Sequence, residues 1–329
     1  MKVFIYSSAS AVTGGPEALH QMAHKAGQMG FDVSVVYFPE AGSHAVPEPY
    51  KSYNVKVAAS AIDAADSIVV FPEVLTHVVA RFKKATRVIW WLSVDNYFNA
   101  MRKREEAMHR KGWKKKFSSF LGGYREYLFQ PEERLYHAAQ SEYARQFLIS
   151  KGVERVFMLT DYLRRDFLER ASLCVRKRED NIVYNPLKGI EFTRQLMDGC
   201  NFEANWIPIQ GMTHLQVQEL LSRSKVYIDF GTHPGRDRIP REAAICGCCV
   251  ITGMRGSAAN SIDVPIPEKY KFDEREPDIL SGVASMLADI LQDYNSHARD
   301  LDAYRETIVC QEQSFEREVG ALFSELSQS

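Results

Sequence analysis

The 329-residue sequence lacks any run of about 18 consecutive apolar residues, the length that a membrane-spanning helix needs. The apolar start, MKVFIY, is too short for a signal peptide and predicts a first β-strand. A basic excess is also missing, since the formal net charge is −1. That balance argues against a dedicated nucleic-acid-binding protein. We therefore expect a cytoplasmic protein that does not bind nucleic acid.

Metal-binding patterns are scarce as well. Of six cysteines, three crowd into the CGCC motif at Cys246, Cys248 and Cys249, with no second pair of ligands nearby. Buried, reduced thiols are the interpretation we favour. His20 and His24 lie one turn apart on a predicted helix but lack a third ligand, which indicates a polar helix face. No Asp-x-Asp pair ends a predicted strand to hold Mg²⁺ or Mn²⁺ against a diphosphate. We predict no metal and no other cofactor.

Short apolar runs separated by helical patterns fill most of the chain. Such an alternation predicts α/β domains whose parallel sheets are covered on both faces. Strands are expected at residues 3–6, 33–37, 55–57, 67–71, 88–92, 136–140 and 156–159, and again at 181–184, 206–209, 226–230 and 248–251. Because the alternation of strands and helices begins again at 181–184, we predict two doubly wound domains, 1–165 and 166–305, joined through a charged segment near 161–178.

Residues 226–251 form the most informative stretch. An apolar strand leads into a loop with the charged residues Arg236, Asp237, Arg238 and Arg241. Pro240 is suited to start a helix, with Glu242 on its first turn. A helix N-terminus binds anions, and arginine recognises phosphate through paired hydrogen bonds. The pattern therefore indicates a nucleotide-diphosphate sugar, although the alternative is a solvated loop whose arginines and aspartate pair with one another.

Other candidates follow predicted strands. Gly14 and Gly15 can form a tight turn with ligand-facing N–H groups before a helix that starts at Pro16, or a plain turn. Lys188 can reach a phosphate, or be a surface lysine. Asp95 follows the strand at 88–92, at the sheet edge where open α/β sheets bind ligands. If the chain is an inverting enzyme, Asp95 is the candidate catalytic base; an Asx turn or a helix cap is the alternative, and Glu73 is a second candidate.

Several segments, in this order, resemble a large retaining family of bacterial sugar-nucleotide glycosyltransferases with the GT-B fold. They are Gly14-Gly15-Pro16-Glu17, QSEYARQFLISKG (140–152), YNPLKG (184–189), PIQGMTHLQVQELLSRSKVYIDF (208–230) and PREAAICGCCVI (240–251). The resemblance implies an enzyme of two Rossmann-like domains that moves a sugar from a nucleotide-sugar donor to a surface glycan or lipid-linked oligosaccharide, as in capsule or lipopolysaccharide synthesis. It also implies metal-independent transfer and a final helix, within 306–329, that returns to the N-terminal domain.

The resemblance assigns donor binding to Gly14, Gly15, Lys188, the arginines of 236–241 and Glu242, with Glu242 on the ribose. One position departs from the family pattern. The family has two glutamates separated by seven residues, and the first position is occupied here by Pro234. The contact to the donor sugar and the retaining stereochemistry are therefore open. A non-catalytic sugar-nucleotide-binding protein, or another sugar-nucleotide enzyme on the same scaffold, remains an alternative.

Residues 101–129 differ in composition from the rest of the chain. Eight Lys or Arg and two Glu within residues 101–116 give a local charge of 8 − 2 = +6, and aromatic residues follow. Basic residues interleaved with aromatic ones suit an anionic membrane surface. A polyanionic acceptor or a solvated helix also fits. We expect a mobile element that faces the acceptor or the inner face of the membrane.

Overall fold

The computed structural model describes residues 1–40, 44–110, 127–173 and 177–328. The chain divides into two compact units. Unit 1 comprises residues 1–161 and 313–329, and unit 2 comprises residues 162–312. Each unit is built around one parallel sheet with helices, so the predicted α/β class is confirmed.

The sheet of unit 1 has seven strands in the order β3-β2-β1-β4-β5-β6-β7. Their bounds are β1 Lys2–Ser8, β2 Asp32–Phe38, β3 Lys56–Ala58, β4 Ser67–Pro72, β5 Thr86–Trp91, β6 Leu135–Ala139 and β7 Val156–Met158. The helices are α1 Gly14–Gln28, α2 Thr76–Val79, α3 Val94–Arg110, α4 Glu142–Ser150 and the last helix of the chain, with short 3-10 turns at Glu48–Tyr53 and Glu73–Leu75.

The sheet of unit 2 has five strands in the order β12-β11-β10-β8-β9. Their bounds are β8 Glu179–Tyr184, β9 Asn205–Pro208, β10 Ser224–Asp229, β11 Cys249–Gly253 and β12 Lys271–Phe272. The helices are α5 Arg165–Leu173, α6 Ile190–Gly199, α7 His214–Arg223, α8 Arg238–Ile245, α9 Ile279–Gln292, α10 Tyr294–Arg299 and α11 Asp302–Val309, with 3-10 turns at Gly256–Ala259 and Glu268–Tyr270. The two-residue strand β12 was not predicted, because it is too short to carry a periodic pattern.

Burial explains why these segments form parallel strands. Val226, Tyr227 and Ile228 in β10, like Val250 and Ile251 in β11, are at most 1% exposed. A strand with helices on both faces must be apolar at every position, which is why the runs are continuous. Polar signals set the helix starts instead. Thr213 accepts a hydrogen bond from the Gln216 N–H at 3.3 Å, and the Gln216 side chain accepts one from the Thr213 N–H, which completes a capping box at α7.

The last helix, α12 (Gln311–Leu326), belongs to unit 1 from residue 313 onward. Its apolar stripe is buried, and the Phe315 ring stacks on Trp90 with centroids 6.1 Å apart. Phe323 packs against Phe31, at 5.2 Å between centroids. The final helix predicted within 306–329 falls on two helices in the structure, since α11 ends at Val309, which is 59% exposed, and α12 begins at Gln311. Among the described residues, no helix is long and apolar enough to cross a membrane.

Strand order locates one ligand-binding edge in each unit. In a doubly wound sheet, ligands bind beyond the carboxyl ends of the two strands between which the winding direction reverses. In unit 1 these strands are β1 and β4, and in unit 2 they are β8 and β10. The loops at residues 185–189 and 230–237, which follow β8 and β10, therefore flank the reversal point of unit 2.

Candidate functional site

Two glycines bring the loops after β8 and β10 of unit 2 into contact. Gly189 has φ 55° and Gly231 has φ 103°, both in the region that disfavours other residues. A Cβ at Gly189 would collide with the carbonyl of Phe230, and a Cβ at Gly231 would lie 2.8 Å from the Gly189 nitrogen. Only glycine permits this close backbone approach, which places Lys188 beside the loop at 230–237.

Lys188 begins a chain of charged side chains at this edge. Its ammonium donates to Asp237 Oδ2, and both side chains are about one-fifth exposed. Asp237 Oδ2 also lies 3.0 Å from Nδ1 of His233, within ion-pair distance. Nε2 of His233 lies 3.2 Å from the Asp229 carbonyl and 3.8 Å from Asp229 Oδ1. The Tyr227 hydroxyl completes the chain by donating to Asp229 Oδ2 at 2.8 Å.

The charges in this chain are set by burial and by one another. Burial by itself would lower the pKa of His233, but Asp237 and Asp229 raise it above the usual 6.5. Both ring nitrogens face oxygens that carry no hydrogen, which fits a doubly protonated imidazolium. Burial acts to raise the pKa of Asp237, yet His233 and Lys188 hold it below the usual value. Burial raises the pKa of Asp229.

The N-terminus of α8 opens at the same place. The helix begins at Arg238 rather than at Pro240, so the predicted start was two residues late. Pro240 is tolerated there because the first-turn N–H groups have no partner within a helix. Asp237 occupies the cap position, but its side chain makes no capping hydrogen bond. It contacts Lys188 and His233 instead.

The predicted arginines differ in what they contact. Arg241 is 1% exposed, and its guanidinium donates to the carbonyls of Arg236 and Asp237 and to Gln311 Oε1. These contacts assign Arg241 to holding the loop in shape, which corrects its assignment to a phosphate. Arg238 lies 3.8 Å from the Glu242 carboxylate. The side chain of Glu242 is about one-tenth exposed.

A second carboxylate ties together the ends of β10, β11 and β12. Glu274, whose side chain is 5% exposed, accepts the Gly231 N–H and the Arg255 Nε–H, the latter at 2.7 Å. A Cβ at Gly253 would lie 2.8 Å from the same carboxylate, so a larger residue there would displace it. Glu274 thus links the ends of these strands and holds Arg255, which is nearly half exposed, beside them.

Asp229, His233 and Asp237 are the group that could hold a metal among the described residues. Their potential ligand atoms lie within 4.8 Å of one another. Two carboxylates and an imidazole form a plausible ligand set for a divalent ion. Lys188, however, already presents its positive charge to Asp237. The same edge can therefore supply positive charge to an anion through a side chain.

The corresponding edge of unit 1 is arranged differently. We predicted a turn at Gly14 and Gly15 before the helix. In the structure α1 begins at Gly14, so both glycines are its first residues. Glu73 is 3% exposed and accepts the Leu92 N–H at 3.1 Å, and burial raises its pKa to about 8. Ser93 accepts the Asn96 N–H at 3.1 Å and so caps α3. Asp95 is half-buried in the first turn of α3, where the Tyr143 hydroxyl donates to it at 3.4 Å.

Other predictions from the sequence have mixed outcomes. His20 is fully buried and contacts the Pro16 carbonyl and the Tyr37 hydroxyl, so a polar helix face was wrong for this residue. Cys246, Cys248 and Cys249 are buried and unpaired as expected, but Cys310 is exposed. Of the basic segment 101–129, residues 101–110 continue α3, and 111–126 lie outside the described residues. The prediction of a mobile element falls largely on that part.

Sequence reasoning missed His233, Asp229 and Glu274. The first two are separated by four residues, as are His233 and Asp237, across a strand end and a loop. That spacing becomes a signal only when the loop is known to fold back on the strand. The contacts of Glu274 join strand ends distant in sequence, and no local pattern indicates them.

No family model matches the sequence, and no curated protein matches it. Solved structures do match over the whole chain. HepE of Anabaena, solved in complex with UDP-glucose, is 10% identical and aligns over 99% of this chain and 100% of its own, with a TM-score of 0.63. Sucrose-phosphate synthase of Thermosynechococcus elongatus is 13% identical over 99% of both chains, also with a TM-score of 0.63. The chain has the GT-B fold.

A third similar structure is WaaG, a glycosyltransferase involved in lipopolysaccharide biosynthesis. It is 12% identical and aligns over 97% of this chain and 99% of its own, with a TM-score of 0.57. The alignments cover nearly all of each chain, so the likeness in fold includes both units. Identities of 10–13% establish the architecture, and the residues of the site must carry the functional argument.

Proposed function

We propose that this protein is a glycosyltransferase that moves a sugar from a nucleotide-sugar donor to an acceptor hydroxyl. The observation that carries the proposal is the edge of unit 2 at β8 and β10. There Lys188 pairs with Asp237, the cap residue of α8, whose side chain makes no capping hydrogen bond. An ammonium and a helix N-terminus together favour a phosphate group. HepE, which shares the fold, was solved with UDP-glucose.

In this proposal Lys188, Arg236, Arg238 and the α8 N–H groups neutralise the diphosphate. Positive charge placed where the leaving phosphate becomes negative lowers the barrier to transfer. Glu242 accepts hydrogen bonds from the ribose, and the first turn of α1, at Gly14 and Gly15, faces substrate. Asp95 takes the proton of the acceptor hydroxyl if the reaction inverts the anomeric centre. No metal takes part, because side chains supply the charge.

The test is nucleotide binding followed by turnover. A thermal-shift panel of UDP, GDP, CMP, ADP and dTDP identifies the base, because a ligand that binds the folded state raises its stability. Lys188→Met and Glu242→Gln should each weaken binding of that nucleotide by roughly 1.5–3 kcal/mol, the range for a charge-assisted hydrogen bond. Lys225→Met, which removes a lysine paired with Asp180 in the same unit, is the control. Unchanged affinity in both site variants would sink the assignment.

A non-catalytic nucleotide-sugar-binding protein is the second candidate, because Pro234 stands where the similar family has a glutamate. Slow hydrolysis of the donor distinguishes the two. An enzyme releases free sugar over hours in amounts that scale with protein and fall in Lys188→Met. A binding protein retains the intact donor at saturation.

For the acceptor we propose a surface glycan or a lipid-linked oligosaccharide. The support is the local charge of +6 in residues 101–116 and the fold shared with WaaG. Basic residues near an anionic bilayer contribute about 1 kcal/mol each. Sedimentation with anionic and neutral vesicles, comparing the wild type with the Lys114, Lys115 and Lys116 to Glu triple variant, tests the contact. Equal sedimentation with both vesicle types would contradict it.

A further inference from the structure

The free protein already holds an anion against its proposed phosphate-binding lysine. The carboxylate of Asp237 contacts the Lys188 ammonium at the reversal point of the unit 2 sheet. Each side chain is about one-fifth exposed, so the pair is shielded from water but still reachable. A carboxylate at the N-terminus of α8 is also placed where the helix dipole favours negative charge. Asp237 therefore places a negative charge where the proposed function places a phosphate.

Asp237 contacts a buried histidine whose backbone is anchored. The His233 ring, 0% exposed, lies 3.0 Å from Asp237 Oδ2 on one side and 3.2 Å from the Asp229 carbonyl on the other. The Ser257 N–H donates to the His233 carbonyl at 2.9 Å, which anchors the backbone of this residue. Lys188, by contrast, ends a flexible four-carbon chain. Lys188 is therefore the partner that can adapt more readily when another anion arrives.

We propose that Asp237 is an internal competitor for Lys188, and that Lys188 exchanges this carboxylate for a phosphate oxygen when a nucleoside diphosphate binds. The inference rests on the proposed function and adds a consequence for affinity. A bound diphosphate lies within a few ångströms of a fixed carboxylate that repels it, so Asp237 weakens nucleotide binding. In a transfer reaction this weakening favours release of the diphosphate product. His233 is the positioning residue that keeps Asp237 from following the lysine.

The experiment measures the affinity of the full chain by calorimetry, using whichever of UDP, GDP, ADP and dTDP gives the largest thermal shift. Asp237→Asn and Asp237→Ser remove the charge and keep a hydrogen-bonding side chain beside His233. Both should bind the nucleotide about tenfold more tightly, an effect of roughly 1.4 kcal/mol to which the freed ammonium contributes more than the relieved repulsion. In a Lys188→Met background the gain should shrink to about threefold or less. Glu191→Gln, which breaks an exposed 2.9 Å pair with Arg194 on α6, is the matched control and should change nothing.

The outcomes separate this inference from the proposed function. Weaker or unchanged binding in the Asp237 variants, together with weaker binding in Lys188→Met, overturns the competition and leaves the donor site intact. Unchanged binding in Lys188→Met, or no binding of any nucleotide to the wild type, overturns both. If circular dichroism shows both Asp237 variants unfolded, the wild type decides: the NMR coupling across the Lys188 Nζ to Asp237 carboxylate hydrogen bond should vanish at saturating nucleotide. A coupling that persists overturns the exchange.

Discussion

The two units have the same doubly wound topology, yet their carboxyl edges use polar residues in opposite ways. In unit 1, the side chains of Glu73 and Ser93 accept hydrogen bonds from backbone N–H groups of the adjacent turn. In unit 2, Lys188, Asp237 and His233 bind one another through side chains. Backbone partners are fixed by the fold, so the groups of unit 1 cannot be released without local unfolding. Side-chain partners can be replaced by a ligand at lower cost.

The difference shows that a sheet edge becomes a binding site only when its polar groups have exchangeable partners. A buried carboxyl that accepts backbone N–H bonds stabilises a turn, as Glu73 does. Charged side chains that pair with each other and are one-fifth exposed, as Lys188 and Asp237 are, can exchange that partner for a ligand. Asp95 is the exception in unit 1, because its side chain is half-buried and accepts a hydrogen bond from another side chain, the hydroxyl of Tyr143, at a long 3.4 Å.

The largest effect expected is on turnover by Asp95→Asn. If Asp95 removes the proton of the acceptor, this isosteric change should slow sugar transfer about 100-fold or more, the usual contribution of a general base. Nucleotide affinity should stay unchanged, because Asp95 is not among the proposed donor-binding residues. Asn96→Ala, at the exposed neighbouring position, is the control. Rates within twofold of the wild type would show that Asp95 is not the catalytic base.

Gly189→Ala should disrupt the edge of unit 2 itself. The new Cβ collides with the Phe230 carbonyl at a φ of 55°, so we expect a loss of about 3–4 kcal/mol in the free energy of unfolding. Gly211→Ala is a matched control, since its φ is 65° but nothing lies within 4 Å of the added Cβ. It should cost about 1 kcal/mol. Equal losses in urea denaturation would show that close loop packing contributes nothing.

Glu73→Gln should remove a pH dependence of stability. Burial raises the pKa of Glu73 from 4.5 to about 8, so the folded state binds this proton more tightly than the unfolded state. Its stabilisation is complete below pH 4.5 and is lost as the pH rises through about 8. The wild type should lose about 3–4 kcal/mol between pH 5 and 8 from this group.

Glutamine stays neutral and still accepts the Leu92 N–H, so the Glu73→Gln variant should be flatter over that range and more stable at pH 8. Glu48→Gln, at a position whose side chain is 82% exposed, serves as the control in the same denaturation series. Parallel pH profiles for wild type and Glu73→Gln would mean that Glu73 is ionised when folded.

Removal of metal should have the smallest effect. Because Lys188 supplies positive charge to the trio of Asp229, His233 and Asp237, we expect turnover in excess EDTA to match turnover in buffer. Loss of activity that added Mg²⁺ or Mn²⁺ restores would instead indicate that the trio holds a cation. Asp229→Asn should then lower the response to metal, which identifies the site directly.

By itself, the sequence determined the class of fold and most of its strands. Continuous apolar runs such as 226–230 and 248–251 are required by any parallel sheet with two covered faces, so each strand can be recognised from its own segment. Lys188 and the segment 236–242 were also predicted from local signals, namely a turn after a strand and a cationic loop before a helix.

Only the tertiary structure decided what those residues contact. Lys188 and Asp237 are 49 residues apart, and they meet because Gly189 and Gly231 let two loops approach closely. The same folding buries Arg241 on its own loop and carries Glu274 beneath Gly231. Charge and periodicity are properties of a segment, so a sequence displays them directly. Partners depend on which strand ends the winding of the sheet brings together, and that is fixed only when the whole unit has folded.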